Sequence, residues 1–588
     1  MAVDSATSLL HARAQDIDLP WRSLRQALDD DAQTPILVFI GPSLDAWGWR
    51  LLDELASDAE VIELIGSQFV PVLADSDEDP GLAALAQLTL ALSANASGWP
   101  CILTLLPDGR PLGALPWVPI RDRDRRAGLA TVLLSLAQGW HDDREGLLRA
   151  AEALASPLAS MQHLPSTPQR PANMLFTAGE AACLEGADTL EGGFGDAPRS
   201  LNPAALEFLA YCAADNDAAP AVRQHLITSL DAMLLGGIHD QLAGGFHRAA
   251  QDRTWDKPFF EKRCLDQGLM AQVLLLTSRV ADREWYGQMA LRTLEWAAEE
   301  LLLSNGGWAH GLHALSPGGD GAMSDGAAYA WSEAAAAAVV GRRGASRFAR
   351  RFLTAAPLRD AFIVPNGKGM VADDDHEHLP NICARLAAAR RERPQPHVDR
   401  RQLLRDQGVM LAAMAALLDW LEPTSDAYHT WRQRATATLH CIHTQFIDGA
   451  HIPRISCDNT APADSGALAW LAWGWLQIAP HVTVDREQAI SWAAALWSQR
   501  RDDGSLPFHL QPKPLPGDTL PAVMDNDHGP SAAAIAGRLF AHLGASDHPQ
   551  ATTWAQRSQA FFASHSALCA LSPMPTCGIL AAWKHSQS

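Results

Sequence analysis

The sequence predicts an α/β domain at the N-terminus followed by a mainly α domain built as an (α/α)6-type toroid. Three observations carry this expectation. Up to about Leu115, apolar runs of strand length alternate with helical ones. From about residue 203 onward, nearly every long segment has apolar residues at helical spacing. Finally, glycine turns of one form recur after those helices: "GGFHRAA" from Gly244, "GGWAHGL" from Gly306, "DGAHIPRI" with Gly449 and "DGSLPFHL" with Gly504. One helical hairpin fits between the first two turns and one between the last two, as a ring of helix pairs requires. The middle interval must hold more than one hairpin, and a two-helix solenoid remains the competing arrangement.

Size and composition fit this division. A chain of 588 residues is too long for one ordinary core. Its 47% hydrophobic and 19% charged residues describe a folded protein, and a net charge of −21 argues against nucleic acid or anionic membranes as partners. No apolar run approaches the roughly 20 residues of a membrane span. The opening "MAVDSATSLLHARAQDIDLPW" lacks the basic and long apolar regions of a signal peptide, so a cytoplasmic protein is the simplest reading. The nine cysteines include no Cys-x-x-Cys pair and read as buried reduced thiols. His440, Cys441 and His443 have no second cluster near them in sequence, so neither a metal nor a cofactor is expected.

In chain order, "PILVFI" and "FVPVLAD" read as buried strands. "WPCILTLLPDGRPLGAL" reads as a hairpin turning at Pro107-Asp108-Gly109. Helices lie between the strands and again near residues 127–155. The proline-rich "SPLASMQHLPSTPQRPAN" then suggests a linker or wrapping segment. The expected divisions are residues 1–156, a linker at 157–190, and a toroid at 191–588. "LAWLAWGWLQI" places Trp470, Trp473 and Trp475 in a helix, where core packing is the simpler use.

Several stretches together resemble the thioredoxin-domain-containing family of spermatogenesis-associated protein 20. They are "FVPVLADSDEDP", "GWPCILTLLPDGRPL", "GGFGDAPRS" and the long "GGIHDQLAGGFHRAAQDRTWDKPFFEKRCLDQG". The resemblance implies a thioredoxin-like domain joined to a toroid of the six-hairpin glycosidase and N-acylglucosamine 2-epimerase type. Departures are as informative. The family's Cys-His-Trp-Cys-His is matched by Asp45-Ala46-Trp47-Gly48-Trp49, so neither thiol of an exchange pair is present. In the family's Pro-His-Phe-Glu-Lys, Phe259 replaces the histidine. Acids that usually follow a Gly-Gly-Phe are absent from Gly311 to Ser316, and the Asp-Asp-Tyr-Ala signature shrinks to Asp464-Ser465-Gly466.

The candidate site residues follow. Pro100 matches the thioredoxin cis-proline. His247, Glu261 and Asp240 are the catalytic candidates, with a carboxylate pair for glycoside hydrolysis or a histidine base for sugar proton abstraction. Arg248, Lys262, Asp266 and Asp464 are the ligand-binding candidates, with Lys262 and Asp266 expected four apart on one helix. The plainer alternative is an internal salt-bridge cluster that fixes the turn between hairpins. His239, His310, His313 and His528 read as structural histidines; Asp525, Asp527 and His528 line a toroid mouth or cap the helix beginning near Ser531. The expected partner is a carbohydrate or similar small polar ligand, with an active sugar isomerase, epimerase or glycosidase and a protein-partner scaffold as alternatives.

Overall fold

The computed structural model describes residues 7–29, 33–166, 169–215, 218–319, 321–358, 360–372, 375–447, 452–457, 461–510, 520–525 and 529–587. The turn at Gly449 and the pair Asp527 and His528 lie outside the described residues. The chain divides into two compact units. One comprises Met1–Leu164, Asp458–Ser465 and Gln499–Ala522; the other comprises Pro165–Cys457, Gly466–Ser498 and Val523–Ser588.

In the first unit, α1 (Leu9–Ala14) and α2 (Leu24–Asp29) lead to β1 (Ile36–Gly41). There follow α3 (Ala46–Ala56), α4 (Ala59–Gln68), β2 (Val70–Asp75) and α5 (Pro80–Ala94). Then come β3 (Cys101–Leu105), β4 (Pro111–Leu115), α6 (Leu129–Asp142) and α7 (Arg144–Ser160). The sheet runs β2-β1-β3-β4, with β1 parallel to β2 and the other neighbours antiparallel. The unbroken apolar run of β1 is explained by cover on both faces. Ile36, Val38 and Ile40 meet Leu82, Ala86 and Leu90 of α5, while Leu37 and Phe39 meet Leu51, Leu55 and Ile65 of α3 and α4. The two-residue period of a strand makes that division. Between β3 and β4 the chain turns at Gly109, whose φ of 86° glycine adopts without strain.

The second unit is a closed ring of helix pairs. Helix α8 (Ala172–Glu185) opens it, lying within the stretch 157–190 that the prolines marked as linker. After β5 (Arg199–Ser200) come the pair α9 (Pro203–Ala213) and α10 (Pro220–Leu235). The short strands β6 (Ala249–Ala250), β7 (Pro258–Phe259) and β8 (Lys262–Arg263) lead to α11 (Cys264–Ala281) and α12 (Glu284–Glu300). An inserted segment holds β9 (Gly311–Leu312), β10 (Leu315–Pro317), β11 (Met323–Asp325), α13 (Glu333–Phe352), α14 (Asp375–Arg391) and β12 (Val398–Asp399). The hairpin α13–α14 has its own core of Trp331, Ala336, Phe348, Ile382 and Leu386, which accounts for the long middle interval. The remaining pairs are α15 (Leu404–Trp420) with α16 (Asp426–Gln445), α17 (Ser465–Ile478) with α18 (Arg486–Ser498), and α19 (Ala532–Gly544) with α20 (Ala551–Leu571). A 3₁₀ turn, Met574–Thr576, enters the last helix, α21 (Cys577–His585).

The inner ring is α9, α11, α15, α17, α19 and α21. Helix α11 packs on α9 and α15, and α21 packs on α19 and α9. Gly408 of α15 admits α17 closely, since a Cβ there would fall 2.5 Å from the Trp470 carbonyl carbon. Trp473 of α17 meets His542 of α19 edge-on at 5.6 Å. On the outside, α10, α12, α16 and α20 back their inner partners, α18 backs α17 through Trp475 and Trp492, and α8 backs α21. Trp470, Trp473 and Trp475 are all buried.

Two of the recurrent turns, at Gly244 and Gly306, share a lock. Gln267, early in α11, accepts from the Phe246 N–H at 2.7 Å and donates to the Phe246 carbonyl at 2.8 Å. Gln407, early in α15, does the same to Trp308, at 2.8 and 2.9 Å. Each glutamine clamps the residue after a Gly-Gly turn, so "DQG" and "GG" recur together for a structural reason. Gly245 (φ 76°) requires glycine: a Cβ would lie 2.5 Å from the Trp296 ring.

Candidate functional site

At the strand-to-helix turn of the first unit, the two positions of a thiol pair hold a helix cap. Asp45 is the N-cap of α3, and its carboxylate accepts from the Gly48 N–H at 2.8 Å. No sulfur stands at either place. The peptide bond from Trp99 to Pro100 is cis. Cys101, next in sequence, is fully buried, and burial pushes its thiol up to about 12. Trp47 remains exposed, with its ring 5.0 Å from that of Trp117 and the Arg50 guanidinium 4.5 Å away.

In the second unit the catalytic candidates enter a closed ionic core. Asp240 accepts from Lys262 Nζ at 2.8 Å, from Arg390 Nη1 at 2.8 and 2.7 Å, and from the Leu242 and Ala243 N–H groups. Burial works to raise its carboxyl, but the Arg390 and Lys262 cations hold it well below the usual range. Lys262 is wholly buried; it also donates to the Gly244 carbonyl at 2.9 Å and sits 4.3 Å from the Trp296 ring. Burial brings its ammonium down to about 8, against the pull of Asp240. His247 is enclosed by Phe260 and Tyr329, with Nδ1 3.2 Å from the Phe260 carbonyl, and burial takes it well below its ordinary value. Glu261 is buried, 3.9 Å from Arg248. The expectation that Lys262 shares a helix face with Asp266 is corrected: Lys262 lies in strand β8, before α11 begins.

What opens to solvent lies beside this core. A cavity of about 290 Å³ is walled by Ser200, Asn202, Arg248, Arg263, Asp266 and Asp525, with Leu201, Met574 and Pro575 as its apolar part. Four inner helices, α9, α11, α19 and α21, begin around it, and their N-termini favour electron-rich oxygens. Arg263 and Asp266 form a two-bond ion pair at 2.8 and 2.7 Å. Asp525 accepts from the N–H groups of Gly578 at 2.6 Å and Ser531 at 2.9 Å. Burial nevertheless pushes its carboxyl up to about 7, over the lowering effect of those bonds.

Of the predicted residues, Arg248 and Asp266 therefore reach the cavity, while Asp240, Lys262, His247 and Glu261 do not line it. Asp464 belongs to the other unit, where it bridges His509. His239, His310 and His313 are buried, and His310 is paired with Asp406 at 2.8 Å. Helix α19 starts beside Ser531, but the cap is Ser531 itself, while Asp525 accepts from the Ser531 N–H. Arg263 and Arg390 were missed. Arg390 lies 150 positions from Asp240, beyond any spacing rule, whereas Arg263 stood three residues before Asp266 and was open to the same reasoning. Among the described residues, no group of three or more His, Cys, Asp or Glu is placed to hold a metal, and no helix is long and apolar enough to cross a membrane.

Residues 3–159 match the family described as "Thioredox_DsbH: Protein of unknown function, DUF255". The chain is 28% identical over 309 residues to spermatogenesis-associated protein 20 of Homo sapiens and 27% identical over 306 residues to that of Rattus norvegicus. Each alignment takes in 51% of this chain and 39% of the relative's own length. Among solved structures, a sugar epimerase from a ruminal bacterium is 9% identical with a TM-score of 0.41, covering 66% of this chain and 85% of that one. Cellobiose 2-epimerase from Spirochaeta thermophila is 12% identical with a TM-score of 0.40, covering 71% and 99%. With an N-terminal domain that matches that family description and a ring of paired helices after it, the chain is a thioredoxin-like and toroid protein similar to spermatogenesis-associated protein 20.

Proposed function

We propose that the toroid binds a carbohydrate or similar small polar ligand in the cavity beside Arg248, and that the turn at Asp45 performs no thiol exchange. The observation that carries the binding reading is the wall itself: two guanidinium groups, two carboxyl groups and the polar side chains of Ser200 and Asn202 around about 290 Å³. Hydroxyls find both donors and acceptors there. The redox reading rests on Asp45 and Gly48, which offer no thiolate and no resolving thiol. Thermal shift against a panel of sugars and sugar phosphates tests the site, with Arg248→Ala and Asn202→Ala as controls. A ligand that stabilises the wild type and loses at least tenfold in affinity in either variant supports it. Binding indifferent to both overturns it. Insulin reduction by the purified protein would overturn the redox reading.

Turnover by a sugar isomerase, epimerase or glycosidase is a second reading, and Asp525 favours it. A carboxyl near 7 in the cavity wall carries its proton in a large share of molecules at neutral pH, and a general acid needs that proton. His247 and Glu261 are too enclosed to touch a ligand in this conformation. A scaffold reading draws on exposed Trp47; it requires that Trp47→Ala abolish partner capture.

A further inference from the structure

The toroid closes where its first and last helices meet, and a pair of thiols lies at that seam. Cys183 is on α8 and Cys577 is the first residue of α21. Their sulfurs are 3.6 Å apart although 394 positions separate them in sequence. Both side chains are fully buried, and the Met574 sulfur lies 3.7 Å from Cys183. Among the described residues, α8 and α21 are held together by packing and by the contact between these two thiols, while the chain runs through every other helix pair between them.

We propose that Cys183 and Cys577 are a disulfide-forming site that closes this seam covalently when the protein meets a hydroperoxide. One thiolate attacks an oxygen of hydrogen peroxide; the S–O bond forms, the O–O bond breaks, and the leaving hydroxide takes up the proton that the thiol had shed, giving a sulfenic acid and one water. The other thiol then attacks that sulfur; the S–S bond forms, the S–O bond breaks, and the hydroxyl leaves with a proton as a second water. Two thiols lose two electrons in total, and the peroxide takes them. The sulfurs must close from 3.6 Å to about 2.05 Å. Each cysteine sits near a helix end, where a small shift breaks few bonds: Cys183 two residues before the end of α8, Cys577 at the start of α21. The hydrogen bond with Cys183, together with burial, keeps the Cys577 thiol well above its ordinary value, so reaction proceeds through openings of the seam and is slow in the closed ring. Met574 and Pro575, which line the cavity, both lie in the turn that enters Cys577. Oxidation therefore fixes that wall as well as the ring.

The test uses the full chain with hydrogen peroxide, followed by unreduced peptide mapping and amide hydrogen exchange. The expected product has two fewer titratable thiols than the nine present, with the Cys183 and Cys577 peptides joined. Amides of Met574–Thr576 and of α21 then exchange at least tenfold more slowly, and dithiothreitol restores the original rate. Cys183→Ala and Cys577→Ala must each lose both the joined peptide and the slowed exchange. Joining of either cysteine to Cys212 or Cys569, or two free thiols at 183 and 577 after exhaustive treatment, overturns the assignment. A joined pair with unchanged exchange overturns the claim that it closes the ring.

Discussion

Replacing Asp240 by Asn distinguishes an ionic keystone from a catalytic group. The carboxylate accepts three charged contacts of 2.7–2.8 Å, and its two cationic partners are themselves buried: Lys262 at 0% and Arg390 at 9% side-chain exposure. Asparagine keeps the shape and can still accept the Leu242 and Ala243 N–H bonds, but two cations are left facing each other with their shared ion-pair partner gone and only the weaker pull of Glu300 remaining. Stranding buried charge in this way costs about 3–5 kcal/mol, a large share of the ~5–15 kcal/mol that keeps a protein folded. The pH dependence supplies an internal check. Wild-type Lys262 is ionised below about 8. Without Asp240 its value falls further, so the folded variant sheds this proton at lower pH while the unfolded chain retains it. The deficit should narrow as pH rises towards about 8, by about 1.4 kcal/mol per pH unit at most, and stay constant above that point. Urea unfolding followed by tryptophan fluorescence between pH 6 and 9 measures both effects. The double variant with Lys262→Met should recover about 1 kcal/mol or more relative to Asp240→Asn alone, because one stranded charge is gone. Unchanged stability in Asp240→Asn, with the same value at every pH, would refute the keystone.

Other perturbations follow from the same geometry. Gln267→Ala and Gln407→Ala each orphan a buried N–H and C=O, so each should cost about 2–3 kcal/mol, and the two costs should be alike because the clamps are alike. Denaturation of the two single variants measures this. His239 is wholly buried and burial takes it to about 3 from 6.5. The unfolded chain binds this proton first, so stability is full above 6.5 and falls as pH drops towards 3, by about 2 kcal/mol near pH 5. His239→Leu should flatten that part of the stability profile. Asp45→Ala should cost about 1 kcal/mol as a lost helix cap, read from the unfolding midpoint.

Local signals were enough to find the sheet and the ring. β1 reads as a doubly covered strand because every residue is apolar, and it is packed on both faces. The glycine turns marked the helix pairs because φ values of 76–92° at Gly244, Gly245 and Gly306 leave little choice of residue. Proline composition was a poorer guide. Pro171 precedes α8 as its N-cap, where a proline ends a loop and leaves the following helix intact. Closure of the ring had no local signal, since α8 and α21 lie at opposite ends of the toroid sequence.

The candidate site was legible in its residues but not in their directions, and one short strand explains why. Glu261, Lys262 and Asp266 looked like one constellation because they are close in sequence. Helical spacing would have put Lys262 beside Asp266. Lys262 and Arg263 instead form β8, and successive strand residues point to opposite sides. Lys262 goes into the core to reach Asp240 and Gly244, and Arg263 goes to the cavity to hold Asp266. A single residue of helix or strand assignment thus separates a charge buried against Asp240 from one paired with Asp266 in the cavity wall. The consequence is testable at equal chemistry: Lys262→Met and Arg263→Met each delete one cation. The first should act on stability alone, whereas the second should weaken any sugar that the cavity binds.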